Sequence, residues 1–201
     1  MAARMMVFSL VFCSTVFGAG MAQASVTDEV KKTVDEVVRI VSDGELKKPQ
    51  HEQKRRRALK GAIGAIFDYG EMARRSLGVH WKGLSPAERK EFTSLFETLL
   101  ENSYAGKIES YSGEKIFYLK ESVEGDYAEV KSKIVTPKRD EYTLDYRLMK
   151  KEGRWLVYDV VIEEVSLVSN YRSQFNKIIN SQGFNELMKK LRTRSEEITA
   201  P

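Results

Sequence analysis

The amino-acid sequence predicts one α+β domain in which helices pack against a twisted, four-stranded antiparallel sheet. Apolar residues recur at helical spacing up to Ile108, alternate with a period of two after Gly113, and return to helical spacing from Ser166. The connections within the period-two segment are short enough for antiparallel hairpins. A run of helices, then a meander of strands, then further helices is typical of the α+β class.

Residues 1–24 have the pattern of a secretory signal peptide. Arg4 supplies a positive charge, Val7–Gly20 is almost wholly apolar or small, and Ala22-Gln23-Ala24 provides a small-x-small cleavage site. The apolar run is shorter than the roughly 20 residues that a transmembrane helix needs. The sequence therefore predicts a cleaved signal peptide at 1–24 and a single domain at 25–201, which is exported to the periplasm because the leader is bacterial in style.

Removal of this leader narrows the chemistry that the domain can carry. Cys13 is the only cysteine of the chain, and the loss of Arg4 lowers the formal net charge from +4 to +3. A domain without cysteine has no disulfide framework, no thiolate nucleophile and no cysteine-based zinc site. The small net charge and the absence of a sustained heptad predict a monomer.

The first helix is predicted to begin near Thr27 and to end at Gly44. One face carries a valine stripe, and because β-branched residues are poor helix formers, packing must hold this helix in place. The stripe consists of Val30, Val34, Val37, Val38 and Val41.

A second helix is predicted from about His51, with a break at Gly70 and a short further helical segment at Glu71–Leu77. Gly61 and Gly64 weaken the second helix, and they leave room for the close approach of a neighbour. Its apolar positions are Leu59, Ile63, Ile66 and Phe67.

The clearest helix start follows Leu84. Ser85 is a capping residue, Pro86 suits the first helical position, and Glu88 completes a capping box. The apolar face of this helix is wide, which predicts that core surrounds half of it. That face consists of Phe92, Leu95, Phe96, Leu99, Leu100, Tyr104 and Ile108.

The period-two segment predicts strands at Lys115–Glu121, Tyr127–Thr136, Glu141–Lys150 and Arg154–Val165. The third strand places Tyr142, Leu144, Tyr146 and Leu148 on one face. The fourth strand is apolar on both faces, as a central strand is, and its pattern leaves open whether Trp155 and Val157 or Leu156 and Tyr158 face the interior. Helices are predicted at Ser166–Ile179 and from Phe184 onward.

No constellation of residues indicates catalysis, a metal site or a resident cofactor. His51 and His80 are the two histidines, and neither has a carboxylate or a second histidine at metal-ligand spacing. No nucleophile elbow, phosphate-binding loop or dinucleotide fingerprint occurs. The charged residues within apolar segments predict two structural ion pairs. One joins Asp68 to Arg74 or Arg75, and the other joins Arg147 to Asp145 or Asp159.

Two features allow more than one interpretation. The basic run Lys54-Arg55-Arg56-Arg57 is either a solvated helix face or a contact for anionic lipid headgroups or an acidic partner. An exported chain rarely meets nucleic acid, so no nucleic-acid partner is predicted. The many aromatic residues fit either an ordinary core or an apolar cavity that holds a hydrophobic ligand.

Phe67–Trp81 resembles the FD-x3-MAR-x2-LG-x2-W signature of the MlaC family of periplasmic phospholipid-binding proteins, also called toluene-tolerance proteins. The resemblance extends over Val26–Arg192 in order and without large gaps. Glu164 departs from it, because the family usually has glycine there. The other matching blocks are Leu84–Arg89, Ser103–Ala105, Tyr111–Ile116, Trp155–Ile162 and Val165–Phe175.

The resemblance implies a strongly twisted antiparallel sheet wrapped by N- and C-terminal helices, with an apolar cavity between them. It implies a carrier that takes phospholipid between an outer-membrane lipoprotein–porin complex and an inner-membrane ABC transporter with an MCE-domain subunit, and so maintains outer-membrane lipid asymmetry. Phospholipid is then cargo, not a cofactor. At about 0.8 kcal/mol per methylene, a chain of about sixteen carbons costs on the order of 12 kcal/mol in water, so transport through an aqueous compartment needs a deep apolar pocket.

Large apolar residues of the helices and the sheet are the predicted lipid contacts, with Tyr171 and Arg172 placed near the mouth on polarity alone. On the helical segments these contacts are Phe67, Met72, Leu77, Trp81, Phe92, Phe96, Leu99 and Tyr104. On the sheet and the helix after it they are Val130, Ile134, Leu144, Tyr146, Leu148, Val157, Val168, Tyr171 and Phe175.

Three alternatives to a phospholipid carrier stay open. The chain is a carrier of another envelope lipid such as a hopanoid, a ligand-free module that assembles an envelope complex through its basic face, or an enzyme in a related open-sheet fold. In a carrier, Phe96→Glu or Leu144→Arg is expected to abolish lipid co-purification. An assembly module would respond instead to charge reversal at Arg55–Arg57.

Overall fold

Six α-helices and one five-stranded antiparallel sheet make up residues 25–199, the part of the chain that the computed structural model describes. The signal peptide predicted at residues 1–24 lies outside it. The helices are α1 (Val26–Ser42), α2 (Glu52–Gly64), α3 (Tyr69–Leu77), α4 (Pro86–Glu109), α5 (Leu167–Gln182) and α6 (Phe184–Thr199), with short 3-10 helices at Pro49–His51 and Gly78–Gly83. The strands β1 (Lys115–Glu124), β2 (Tyr127–Val135), β3 (Glu141–Lys151), β4 (Arg154–Ile162) and β5 (Val165–Ser166) are adjacent in chain order. The predicted α+β class is confirmed.

The predicted fourth strand is divided into two. β4 ends at Ile162, the chain turns through Glu163 and Glu164, and Val165 then pairs with Ile162. Both glutamates have positive φ angles, 46° and 65°, which is the backbone conformation of a two-residue hairpin turn. The prediction of four strands was wrong because glutamate is not a typical turn residue, so the apolar pattern through Val165 hid the turn.

Glu164→Gly is expected to raise the free energy of unfolding by about 0.5–1 kcal/mol. A left-handed residue with a side chain costs about 1–2 kcal/mol, and glycine removes this cost while adding a smaller loss of chain entropy. Urea denaturation followed by circular dichroism measures the change. Lys189→Gly, at an exposed position inside α6, is the control and is expected to lower stability by about 1 kcal/mol. A Glu164→Gly protein that is no more stable than the parent would contradict the assignment of strain to this turn.

The chain between α2 and α3 pairs with the sheet. The amide of Asp68 donates to the carbonyl oxygen of Val157 at 2.9 Å. The amide of Val157 donates to the carbonyl oxygen of Ile66 at 2.8 Å. Ile66 therefore lies in a turn after the end of α2, and Phe67 forms a bridge with Val157, so neither belongs to the helix as predicted. Gly70 lies in the first turn of α3 rather than at a break. Hydrogen bonds to a distant strand override the local apolar spacing here.

Four helices enclose a cluster that we call the helical core, which lies away from the inner face of the sheet. Phe92 and Phe96 of α4 are fully buried in it, and the ring of Phe175 from α5 meets each of them edge-on at 5.6–5.7 Å between centroids. Edge-to-face aromatic contacts add to the free energy gained from apolar burial. Met72 of α3 and Leu187 of α6 complete the contacts between the four helices.

The N-terminal half of α1 packs on the inner face of the sheet and forms what we call the sheet core. Val26 and Val30 are buried there against Val130, Leu148 and Val157. Ser25 caps the N-terminus of α1, where its hydroxyl accepts from the amide of Asp28 at 3.1 Å within a capping box. Packing and capping together hold a helix that its valines alone would not favour.

Buried charges are paired, although not all with the predicted partners. Asp68 caps α3 and accepts from Lys151 at 2.9 Å, so its predicted pairing with an arginine was wrong. Asp159 is buried and lies 3.4 Å from Arg147, as one of the predicted alternatives has it. The same carboxylate accepts from the amide of Val168 at 3.0 Å and thereby joins the start of α5 to β4.

Within residues 25–199, no helix is long and apolar enough to cross a membrane.

Candidate functional site

A cavity of about 870 Å³ lies between the inner face of the sheet and the helices α1, α2 and α4. The cavity wall is predominantly apolar, and its charged side chains come mainly from α2 and α4. A volume of this size is in the range of natural sites for small ligands, which are concave and mostly apolar. The cavity is therefore the candidate functional site.

The sheet supplies the largest wall. Leu144 and Tyr146 of β3 point to the same face by strand alternation, and their neighbours across the β3–β4 pair are Ile162 and Val160. The register shifts at Tyr158, where one extra residue of β4 restores the inward direction to Val157. This bulge decides which residues of β4 face the interior. Val157 lines the cavity on one side of the bulge, and Val160 and Ile162 line it on the other. Burial raises the pKa of the Tyr146 phenol.

The valine stripe of α1 forms the opposite wall. Val30, Val34, Val37, Val38 and Val41 all line the cavity, at the helical spacing that the sequence shows. The first of these valines also belongs to the sheet core, so the stripe continues from packed core at one end of α1 to open cavity at the other.

The remaining walls come from α2, α4 and the segment between α2 and α3. Leu59 and Ile63 face the cavity from α2, and Tyr104 and Ile108 face it from α4. Phe67 also lines the cavity and packs against both cores.

Charged residues of α2 and α4 meet at one edge of the cavity. Lys60 Nζ lies 2.9 Å from a carboxylate oxygen of Glu97 and 2.9 Å from one of Glu101. Burial raises the pKa of the Glu101 carboxyl group. Partial burial acts to lower the pKa of Lys60, but hydrogen bonds to the two glutamates raise it overall. Lys60 and Glu101 line the cavity, so this edge is a polar boundary.

The basic run at the start of α2 belongs to the same edge. Arg55 is largely buried, with its Nε 3.3 Å from Glu109 and its Nη1 donating to the carbonyl oxygen of Leu46 at 2.7 Å. Arg56 pairs with Glu52 at 2.9 Å. The interpretation of the run as a wholly solvated face was therefore wrong for Arg55, and its contact with an anionic partner stays a prediction.

The structure brings six of the predicted lipid contacts together in the cavity wall. They are Phe67, Tyr104, Ile134, Leu144, Tyr146 and Val157.

The other eleven predicted contacts lie outside the cavity wall. Val130 and Leu148 belong to the sheet core. Trp81 and Tyr171 pack against the helical core, and Arg172, which was placed near the mouth with Tyr171, donates instead to the carbonyl oxygen of Arg75 at 2.8 Å. The helical core holds the rest, which are Met72, Leu77, Phe92, Phe96, Leu99, Val168 and Phe175. The wide apolar face of α4 is divided along its length, so that its first half fills the core and its second half faces the cavity.

Sequence reasoning missed the wall formed by α1 and α2. The signal was present, because five valines on one helix face indicate a surface that must be covered. The surface that faces these valines could not be predicted, because no residue near α1 in the sequence shows that the stripe lies opposite the sheet with a cavity between them.

This wall can enclose aliphatic chains. Neither histidine lines the cavity. His51 Nδ1 lies 2.8 Å from the carbonyl oxygen of Glu45, and His80 Nε2 lies 2.9 Å from Asn176 Oδ1. The cavity is thus suited to binding by apolar contact.

The chain is similar to known proteins in sequence and in structure. The family model described as MlaC protein matches residues 31–193. The intermembrane phospholipid transport system binding protein MlaC of Haemophilus influenzae is 29% identical over 126 residues, which are 60% of this chain and 59% of that protein. The chain therefore matches less than two thirds of that relative's length. A solved phospholipid-binding protein of Ralstonia solanacearum, in complex with a phospholipid, superposes with a TM-score of 0.79 at 25% identity and covers 88% of this chain and 100% of that one.

Proposed function

The chain belongs to the MlaC protein family, and from this membership we propose that it binds phospholipid in the cavity and carries it through the periplasm between the two membranes. The observation that supports the proposal most directly is the apolar cavity of about 870 Å³. The solved relative that shares the fold was determined with a phospholipid bound. The names of the relatives refer to binding and transport and do not refer to catalysis.

The energetics of the cargo require such a cavity. A chain of about sixteen carbons gains on the order of 12 kcal/mol when it leaves water for an apolar environment, at about 0.8 kcal/mol per methylene. The valine stripe of α1 and the inward residues of β3 and β4 provide that environment. Because apolar burial is non-directional, a carrier of this kind needs no specific polar constellation around the chains.

The volume of the cavity favours a lipid with two acyl chains. A methylene group is about the size of a water molecule, which takes up about 30 Å³, so a cavity of about 870 Å³ has room for about 29 such groups. That number corresponds to two chains of about fourteen carbons. We therefore propose a diacyl phospholipid as cargo, with the six predicted contacts that line the cavity and the valines of α1 against its chains.

The further parts of the proposal follow family membership. Export by a cleaved signal peptide would place the protein in the periplasm. Its partners there would be an outer-membrane lipoprotein–porin complex and an inner-membrane ABC transporter with an MCE-domain subunit, and its role would be to maintain outer-membrane lipid asymmetry.

Native mass spectrometry of gently purified protein tests this function. We expect one phospholipid with two acyl chains per polypeptide, because the cavity volume of about 870 Å³ matches that of two such chains. Fragmentation of the released ligand identifies its class and separates phospholipid from hopanoid. The bare polypeptide mass alone would contradict the carrier proposal, and a four-chain lipid at full occupancy would contradict the two-chain part of it.

A further inference from the structure

Of the walls around the cavity, α2 is the least anchored to the rest of the protein. The structure describes the whole of α2, and its only buried residue is Leu59. Leu59 packs with Ile40 and Val41 of α1. By contrast, α1 inserts Val26 and Val30 into the sheet core, and α4 is anchored in the helical core. The apolar attachment of α2 is therefore mainly to α1.

The sequence of α2 adds little stability of its own. No side chain caps its N-terminus, where His51 occupies the capping position. Gly61 and Gly64 lie within it, and a Cβ atom added at either glycine would meet no atom within 4 Å. The expectation that these glycines allow a close neighbour was wrong. They lower the helix propensity with no packing in return.

Ion pairs join α2 to α4 along the polar edge of the cavity, which we call the seam. Lys60 of α2 bridges Glu97 and Glu101 of α4 at 2.9 Å each. Arg55 and Arg56 of α2 lie 3.3 Å and 3.8 Å from Glu109 near the end of α4. Four residues of the seam also line the cavity: Arg56, Lys60, Glu101 and Glu109.

We propose that the α2–α4 seam is the portal through which acyl chains enter and leave the cavity, with α2 moving away from α4 while it keeps its contact with α1. This inference rests on the proposed lipid-carrier function. Opening the cavity through the sheet would break a hydrogen-bonded ladder, and opening it between α4 and its helical neighbours would expose the helical core. Parting the seam separates ion pairs whose charged groups become solvated as they move apart, including the largely buried pair of Arg55 and Glu109, so it costs least.

A reducible cross-link across the seam tests the portal. Cys13 is the only cysteine, so the variant Cys13→Ser, Lys60→Cys, Glu101→Cys carries one pair of thiols, which a short bis-methanethiosulfonate reagent joins. The protein is loaded with an acyl-labelled fluorescent phospholipid and mixed with acceptor vesicles of phosphatidylethanolamine and phosphatidylglycerol that contain a quencher. We expect the cross-link to slow transfer by at least about ten-fold, as closing a lid does, and reduction to restore the rate.

A cross-link between α4 and α6 is the matched control. Arg192 Nε donates to Glu91 at 2.7 Å away from the cavity, and the variant Cys13→Ser, Glu91→Cys, Arg192→Cys is expected to transfer lipid equally fast before and after reduction. The charge variant Lys60→Gln needs no cross-link and is expected to transfer about two- to five-fold faster than the parent, since the partly exposed ion-pair bridge between α2 and α4 is lost.

The outcomes separate the portal from the function on which it rests. A locked seam that holds lipid and transfers it as fast as the reduced protein would overturn the portal and leave the carrier function intact. Absence of lipid from the locked and reduced proteins and from the parent would overturn the carrier function, and the portal with it. Slow transfer in the locked protein alone, restored by reduction, supports both.

Discussion

Leu144→Arg is expected to lower the phospholipid carried per protein by at least about ten-fold, a factor that needs only about 1.4 kcal/mol. The side chain of Leu144 lines the cavity from β3, so an arginine there brings a guanidinium group against the acyl chains. An unpaired charge in apolar surroundings costs several kcal/mol. Phosphorus content of the purified protein, together with native mass spectrometry, measures the loss, and far-ultraviolet circular dichroism shows that the domain is folded.

Leu119→Arg is the matched control for this prediction. Leu119 lies at the bulge of β1, is 59% exposed and does not line the cavity. The same substitution is therefore expected to leave the lipid content near that of the parent protein. If folded Leu144→Arg protein keeps its full complement of phospholipid, the cavity between the sheet and α1, α2 and α4 is not the lipid site.

Phe96→Ala is expected to lower the free energy of unfolding by about 3–5 kcal/mol, the usual cost of removing a buried aromatic ring. Phe96 is fully buried in the helical core. Its ring centroid lies 5.9 Å from Phe92, 5.6 Å from Phe175 and 5.3 Å from Tyr171. Removal of the ring leaves a void among three aromatic neighbours. Urea denaturation gives the change in stability.

The lipid content of the folded fraction distinguishes core from cavity at this position. Since Phe96 does not line the cavity, Phe96→Ala is expected to bind as much phospholipid per folded molecule as the parent. Phe117→Ala, at a position that is 47% exposed, serves as the comparison and is expected to change stability by about 0.5 kcal/mol or less. A destabilised protein with normal lipid content would assign Phe96 to the core. Loss of lipid with unchanged stability would assign it to the cavity instead.

Features that depend on neighbouring residues could be predicted from the sequence. The capping box at Ser85 and Glu88 was predicted from residue type and spacing, and the amide of Glu88 donates to the Ser85 hydroxyl at 3.3 Å. The start of α4 at Pro86 is confirmed. The inward face of β3 is confirmed as well, because strand alternation is a local property.

Features that depend on distant parts of the chain could not be predicted. Phe67 has helical spacing, yet the hydrogen bonds that Ile66 and Asp68 form with Val157 place it beside β4 as a bridge residue. The turn at Glu163 and Glu164 is stabilised in part by the carboxylate of Glu163, which accepts from the amide of Thr143 at 2.5 Å. Neither partner is adjacent in sequence, so local spacing indicated a helix in one place and a continuous strand in the other.

The sequence by itself determined the α+β class, the order of the elements and the family, since these follow from local periodicity, capping residues and extended motif blocks. Only the tertiary structure decided which apolar side chains fill a core and which enclose a cavity. Phe96 and Tyr104 lie on one helix face, but the first is packed among aromatic rings and the second lines open volume. Both positions remove apolar surface from water, so the hydrophobic effect favours the same residue types at each. Whether a position is core or cavity depends on the distance between the facing walls. That distance is set by the positions of α1, α2 and α4 relative to the sheet.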